Sequence, residues 1–204
     1  MTIIYLTDLM GTGVFAISGT LAALNKRKDH DLITLFFFGF ITAIGGGTLR
    51  DVVINAHPVV WISDANYLIV IIVSVVIAIL CRRWWLGILK RPLLFFDTLG
   101  IGIYTIFGLE KALSVGVNRW AAILLGIVSA LFGGVIRDTL ANDVPLLFER
   151  QLYVTPCLTG ALLYVLALSL HLDPTVNFLL SAGVITGFRL LAVRKGWSLP
   201  PIRV

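Results

Sequence analysis

Apolar residues run in long blocks along this chain, and polar residues collect in short gaps between them. A helix needs roughly 17–25 mostly apolar residues to cross a bilayer. Seven stretches fall in that range: residues 2–24, 32–54, 65–81, 93–112, 119–140, 152–170 and 174–193. The gaps hold the turn and charge signals, among them Asn25-Lys26-Arg27-Lys28-Asp29, His57-Pro58, Asn142-Asp143-Val144-Pro145 and His171-Leu172-Asp173-Pro174. The pattern predicts an all-α membrane protein of seven transmembrane helices with no domain outside the membrane.

Composition strengthens this picture. The chain is 58% hydrophobic and 13% charged, whereas a soluble domain carries about 25% charged residues. A larger core cannot absorb the deficit, because a chain of 204 residues still presents a wide surface. The solvent is therefore lipid. The net charge of +5 does not imply nucleic-acid binding, because the cations lie in clusters between apolar runs. They report topology instead. With seven spans, the first, third and fifth loops share a side with the C-terminus. That side holds Lys26, Arg27, Lys28, Arg82, Arg83, Lys90, Arg91, Arg150, Arg194, Lys195 and Arg203, against Lys111 and Arg119 opposite. The expected orientation is N-terminus outside and C-terminus cytoplasmic. The N-terminus lacks a basic leader and Asp8 interrupts its apolar run, so no cleavable signal peptide is expected.

An internal repeat runs through the chain. Asp8-Leu9-Met10-Gly11-Thr12-Gly13-Val14-Phe15 aligns with Asp97-Thr98-Leu99-Gly100-Ile101-Gly102-Ile103-Tyr104, 89 residues later. Thr42-Ala43-Ile44-Gly45-Gly46-Gly47-Thr48-Leu49-Arg50-Asp51 aligns with Ser129-Ala130-Leu131-Phe132-Gly133-Gly134-Val135-Ile136-Arg137-Asp138, 87 residues later. Each copy holds three spans, an odd number, so the second enters the membrane from the opposite face. The expected division is residues 1–86 and 87–171 for the inverted three-helix repeats, and 172–204 for a seventh helix and tail. Inverted repeats of this kind place solute sites near the midplane, between the halves.

The candidate chemistry sits on the second and fifth spans. Gly45, Gly46 and Gly47, and in the other copy Gly133 and Gly134, fall near mid-span, where each glycine costs roughly 1 kcal/mol against alanine. Two readings attach to them: close helix packing, or a kink that turns backbone toward a lined cavity. Thr42, Gly46 and Arg50 share one helical face, as do Ser129, Gly133 and Arg137; Asp51 and Asp138 lie on an adjacent stripe. Charges at a helix centre cost ~2.5–3.5 kcal/mol each on insertion scales, so these pairs are pore-lining candidates unless they snorkel at the span ends. Asp8 and Asp97 form a third matched set, either polar anchors or pathway residues. Glu110 and Lys111 are expected at the interface, Arg189 is expected to snorkel, and Trp61, Trp84, Trp85, Trp120 and Trp197 are expected in an aromatic belt. No enzyme, cofactor or metal signal is present: His30, His57 and His171 lack ligand spacing, as do Cys81 and Cys157.

The paired Gly-Gly-x-x-Arg-Asp motif, at residues 46–51 and 133–138, resembles that of the prokaryotic trimeric intracellular cation (TRIC) channel family. The resemblance extends to length, seven spans and inverted halves. It implies a homotrimer in the prokaryotic plasma (inner) membrane, in contact with membrane lipids. It also implies a hydrophilic pore in each protomer around the second and fifth helices, permeable to monovalent cations and mainly to potassium. The lysine-containing lipid motif of the animal channels is absent. Some bacterial relatives are linked to glycine transport, so secondary transport of a small zwitterion is the alternative. A third reading is a membrane scaffold whose glycines only pack helices.

Overall fold

The computed structural model describes residues 3–26, 31–88, 91–198 and 200, and every regular element among them is helical. Expectations that rest on Arg27, Lys28, Asp29, His30, Lys90 and Arg203 lie outside the described residues. The order is α1 (Ile3–Lys26), α2 (Leu32–Val53), a one-turn α3 (Val60–Ser63), α4 (Ala65–Ile88), α5 (Pro92–Ser114), α6 (Arg119–Leu140), a 3₁₀ turn (Leu146–Phe148), α7 (Val154–Ser169) and α8 (Pro174–Lys195). Six of these helices are long and apolar enough to cross a membrane, and α7 is a shorter apolar helix of 16 residues.

Local chemistry repeats between the halves as closely as the motif does. Asp31 caps α2 by accepting from the Thr34 amide (2.6 Å), and Asn118, 87 positions on, caps α6 by accepting from the Ala121 amide (3.0 Å). Such side-chain oxygens satisfy amides that the first turn leaves open. At the other ends, Asn55 and Asn142 take left-handed φ values of 55° and 54°. Asparagine tolerates that conformation better than other non-glycine residues, which lets the chain leave both helices by the same turn. Beyond each turn lies a short helical piece, α3 in one copy and the 3₁₀ turn in the other.

α4 continues to Ile88, well past the predicted end at residue 81, because Arg82 stays helical and donates to the Leu24 carbonyl of α1 (3.0 Å). Trp85 is buried against Phe96 (ring centroids 4.6 Å apart) instead of joining an interfacial belt; Trp84 and Trp120 are exposed. α1 and α5 are the most enclosed of the long helices and lie against each other at the centre. Their contact is symmetric. A Cβ at Gly11 would meet the Tyr104 ring at 2.6 Å, and one at Gly100 would meet Phe15 at 2.6 Å. The chain is thus an all-α bundle of two inverted three-helix repeats followed by α8, which packs on α5 and α7.

Candidate functional site

The site is built where α2 crosses α6. A Cβ on Gly46 would land on the Ser129 carbonyl, and a Cβ on Gly133 would land on the Thr42 carbonyl. Each copy therefore offers one glycine and one hydroxyl residue to the other, and only glycine permits so close an approach. The Ser129 hydroxyl donates to the Gly46 carbonyl (3.2 Å), and that of Thr42 to its own helix at Phe38 (2.6 Å). Gly45 faces Ile136. Gly47 and Gly134 face elsewhere, each toward the arginine three residues on and a tyrosine, Tyr104 or Tyr153. Both helices remain helical through the glycine runs. The glycines do not interrupt the helices. They make a tight crossing and leave room for buried guanidinium groups.

Two charge clusters flank this crossing. Toward the end of the bundle where α1 begins stand Asp8, Arg50, Asp51 and Lys111. Arg50 is 2% exposed and donates from Nε to Asp51 Oδ1 (2.9 Å), with its guanidinium 4.8 Å from the Phe107 ring centre. Lys111 Nζ reaches the same Asp51 oxygen at 2.8 Å, and Asp51 Oδ2 accepts from the Val60 amide (3.4 Å). Asp8, 4% exposed, accepts from the Tyr67 hydroxyl.

Toward the end where α1 finishes stand Asp97, Arg137, Asp138 and Arg189. Arg137 is fully buried and holds three partners at once. Nη1 donates to Asp97 Oδ1 (2.7 Å) and to Ser18 Oγ (2.6 Å), while Nε and Nη2 grip Asp138 as a fork (2.7 and 3.0 Å). Asp138 also accepts from the Leu146 amide (3.0 Å), as Asp51 does from Val60. Asp97 takes the Tyr153 hydroxyl (2.9 Å) and Arg189 Nη2 (3.2 Å). Each cluster holds two carboxylates and two cations and is neutral as a whole, which limits the cost of several kcal/mol that an ion carries in a low-dielectric interior.

Several sequence expectations change here. Arg50 and Arg137 do not snorkel from span ends. Arg189 is buried, donates to Asp97 and Thr98, and lies 3.6 Å over the Tyr153 ring. Lys111 and Glu110 turn inward, to Asp51 and to the Tyr164 hydroxyl (2.5 Å) respectively. Asp8 and Asp97 are members of the clusters and not surface anchors. Tyr67 and Tyr153, the carboxylates' hydroxyl partners, have a signal in the sequence: both fall at the start of a repeat's third span, 86 residues apart.

Open space lies on both sides of the crossing. A vestibule of about 290 Å³ on the α1-start side is lined by Tyr5, Asp8, Tyr67, Glu110 and Lys111. A larger one of about 510 Å³ on the other side is lined by Lys26, Arg91, Asp138, Asp143 and Glu149. Between them lie the Gly46–Ser129 and Gly133–Thr42 contacts.

Two vestibules and two buried charge clusters thus flank an inverted pair of crossing helices. The glycine transporter family model matches residues 5–83 and 94–169, stretches that correspond to the two repeats. A membrane protein of Vibrio cholerae is 35% identical over 98% of this chain and 82% of its own. The inner membrane protein YadS of Escherichia coli is 32% identical over 97% and 95%. The TRIC trimeric intracellular cation channel orthologue from Rhodobacter sphaeroides superposes with a TM-score of 0.83 at 27% identity, over 97% of this chain and all of that one. The chain belongs to the family that the matching model describes, and its fold and motifs make it a member of the TRIC channel family.

Proposed function

We propose that the chain conducts monovalent cations, potassium foremost, through one path in each protomer of a homotrimer. The path follows the α2–α6 crossing, with Asp8, Arg50 and Asp51 at one mouth and Asp97, Arg137 and Asp138 at the other. Thr42 and Ser129 supply hydroxyls at the narrowest level, and Gly45, Gly46, Gly47, Gly133 and Gly134 let the helices approach and part there. The observation that carries this reading is the inverted pair of buried, charge-balanced clusters across a glycine crossing, in a chain that shares the fold of a cation channel. Conduction requires α2 and α6 to separate at Gly46 and Gly133. The repeats divide at residues 86/87, with α8 beginning the third unit after residue 171. The excess of cations where α1, α4, α6 and α8 end supports a plasma-membrane orientation with the N-terminus outside and the C-terminus cytoplasmic. Purified protein in planar bilayers is expected to give discrete potassium currents; silent bilayers containing folded trimers would contradict the proposal.

A second reading is secondary transport of a small zwitterion. The description of the matching family model supports it, as does the placing of the Arg50 guanidinium with the Asp8 and Asp51 carboxylates around one small cavity. Saturable uptake of radiolabelled glycine into proteoliposomes tests it, and a turnover far above carrier rates excludes it.

A further inference from the structure

The two charge clusters are built from equivalent residues, yet only one is complete. Arg137 spans from Asp138 to Asp97 and so joins α6 to α5 directly. Arg50 reaches Asp51 but not Asp8, and its Nη1 has no hydrogen-bond partner although the side chain is 2% exposed. Among the described residues no cation lies within ion-pair distance of Asp8, whereas Asp97 has two, Arg137 and Arg189. Where the second repeat has a direct Arg–Asp bond, the first has a small cavity of about 20 Å³ lined by Asp8, Thr12, Gly47, Arg50, Tyr67 and Tyr104. It shares Asp8, Val60 and Tyr67 with the 290 Å³ vestibule, where Glu110 Oε2 also has no partner.

We infer that this gap is the binding site of a small amino-acid zwitterion, whose carboxylate meets Arg50 Nη1 and whose ammonium meets Asp8. The inference rests on the second reading above and assigns it a place in the fold. An unsatisfied guanidinium N–H calls for an acceptor and repels a bare cation. A carboxylate without a counter-ion calls for a cation and repels a bare anion. One ligand with both charges answers both demands, keeps the cluster neutral, and replaces the Arg–Asp bond that the other repeat makes for itself. A cavity of about 20 Å³ holds one water-sized group. It therefore admits a carboxylate oxygen, and the rest of the ligand lies in the vestibule, with its ammonium beside Asp8, which lines both spaces.

The test is equilibrium binding of radiolabelled glycine to the full chain in lipid nanodiscs. Saturable binding is expected, with methylamine and acetate, each carrying one of the two charges, competing at least tenfold more weakly than unlabelled glycine. Asp8→Asn is expected to weaken binding at least tenfold. So is Arg50→Lys, which keeps the charge but loses the planar fork. If either variant fails to fold, the competition series on the unaltered chain decides. Absence of saturable binding to folded protein overturns the site. Equal competition by methylamine and glycine overturns it too. Potassium currents from the same preparation separate the two readings: currents without glycine binding leave the channel standing and remove this site, whereas binding without currents does the reverse.

Discussion

Ser18 and Phe107 stand at equivalent positions of the two repeats, 89 residues apart, and give the two buried arginines different surroundings. Ser18 accepts a hydrogen bond from Arg137 Nη1 (2.6 Å), while Phe107 offers Arg50 only its ring, 4.8 Å away, and Nη1 stays unpartnered. The symmetry of the backbone is therefore not a symmetry of the charges. Ser18→Ala removes an acceptor from a cation that keeps both its carboxylates, so a loss of about 1.5 kcal/mol is expected, read from chemical denaturation in detergent. No loss would mean that the hydroxyl is irrelevant to the cluster.

The same asymmetry orders the arginine variants. Among the described residues, Arg137→Ala leaves Asp138 without a cation and Asp97 with Arg189 alone, and breaking such a buried pair costs about 3–5 kcal/mol. Arg50→Ala leaves Asp51 with Lys111 and leaves Asp8 without an ion pair, as it already is. Arg50→Ala is therefore expected to unfold at distinctly higher denaturant than Arg137→Ala. The reverse order would show that the N-terminal cluster, not the C-terminal one, holds the bundle.

Adjacent glycines should respond oppositely to the same substitution. Gly46→Ala drives a methyl into the Ser129 backbone carbonyl, which no rotamer change relieves. A cost of about 1–3 kcal/mol is expected from overpacking, and Gly133→Ala should match it against Thr42. Gly47→Ala meets nothing nearer than 3.7 Å, and gains up to about 1 kcal/mol of helix propensity. Thermal unfolding of the three variants side by side checks this, and equal melting temperatures for Gly46→Ala and Gly47→Ala would contradict the tight crossing.

Orientation is open to a labelling test. With Cys81 and Cys157 replaced by serine, cysteines at Val115 and Arg194 sit on exposed positions at opposite ends of the bundle. A membrane-impermeant maleimide added to intact cells is expected to label Val115→Cys and to spare Arg194→Cys until the cells are opened. The opposite result would invert the topology.

The helices and the repeat were legible in the sequence because lipid imposes a crude, one-dimensional demand: about 20 apolar residues per crossing. Gly, Asp and Arg identities at fixed offsets then tied the halves together, and the matched caps at Asp31 and Asn118 bear out that register. What the sequence obscured was direction. Arg189 and Lys111 lie near helix ends, where snorkelling is the usual fate of a cation, and only three dimensions reveal Asp97 and Asp51 beneath them. The Gly45–Gly47 run likewise reads as a weak point along one helix. Across two helices it is a contact surface, because its central glycine faces a carbonyl 83 residues away. α7 runs from Val154 to Ser169, three residues shorter than the apolar stretch 152–170: Leu152 and Tyr153 precede its first turn and Leu170 follows its last.

In the proposed mechanism cations, and not anions or zwitterions alone, cross along the α2–α6 seam. The reversal potential of purified protein in a planar bilayer, under a potassium chloride gradient, tests it most directly. Discrete openings that reverse close to the potassium equilibrium potential are expected. Reversal near the chloride potential, or no current across bilayers that contain folded trimers, would contradict it.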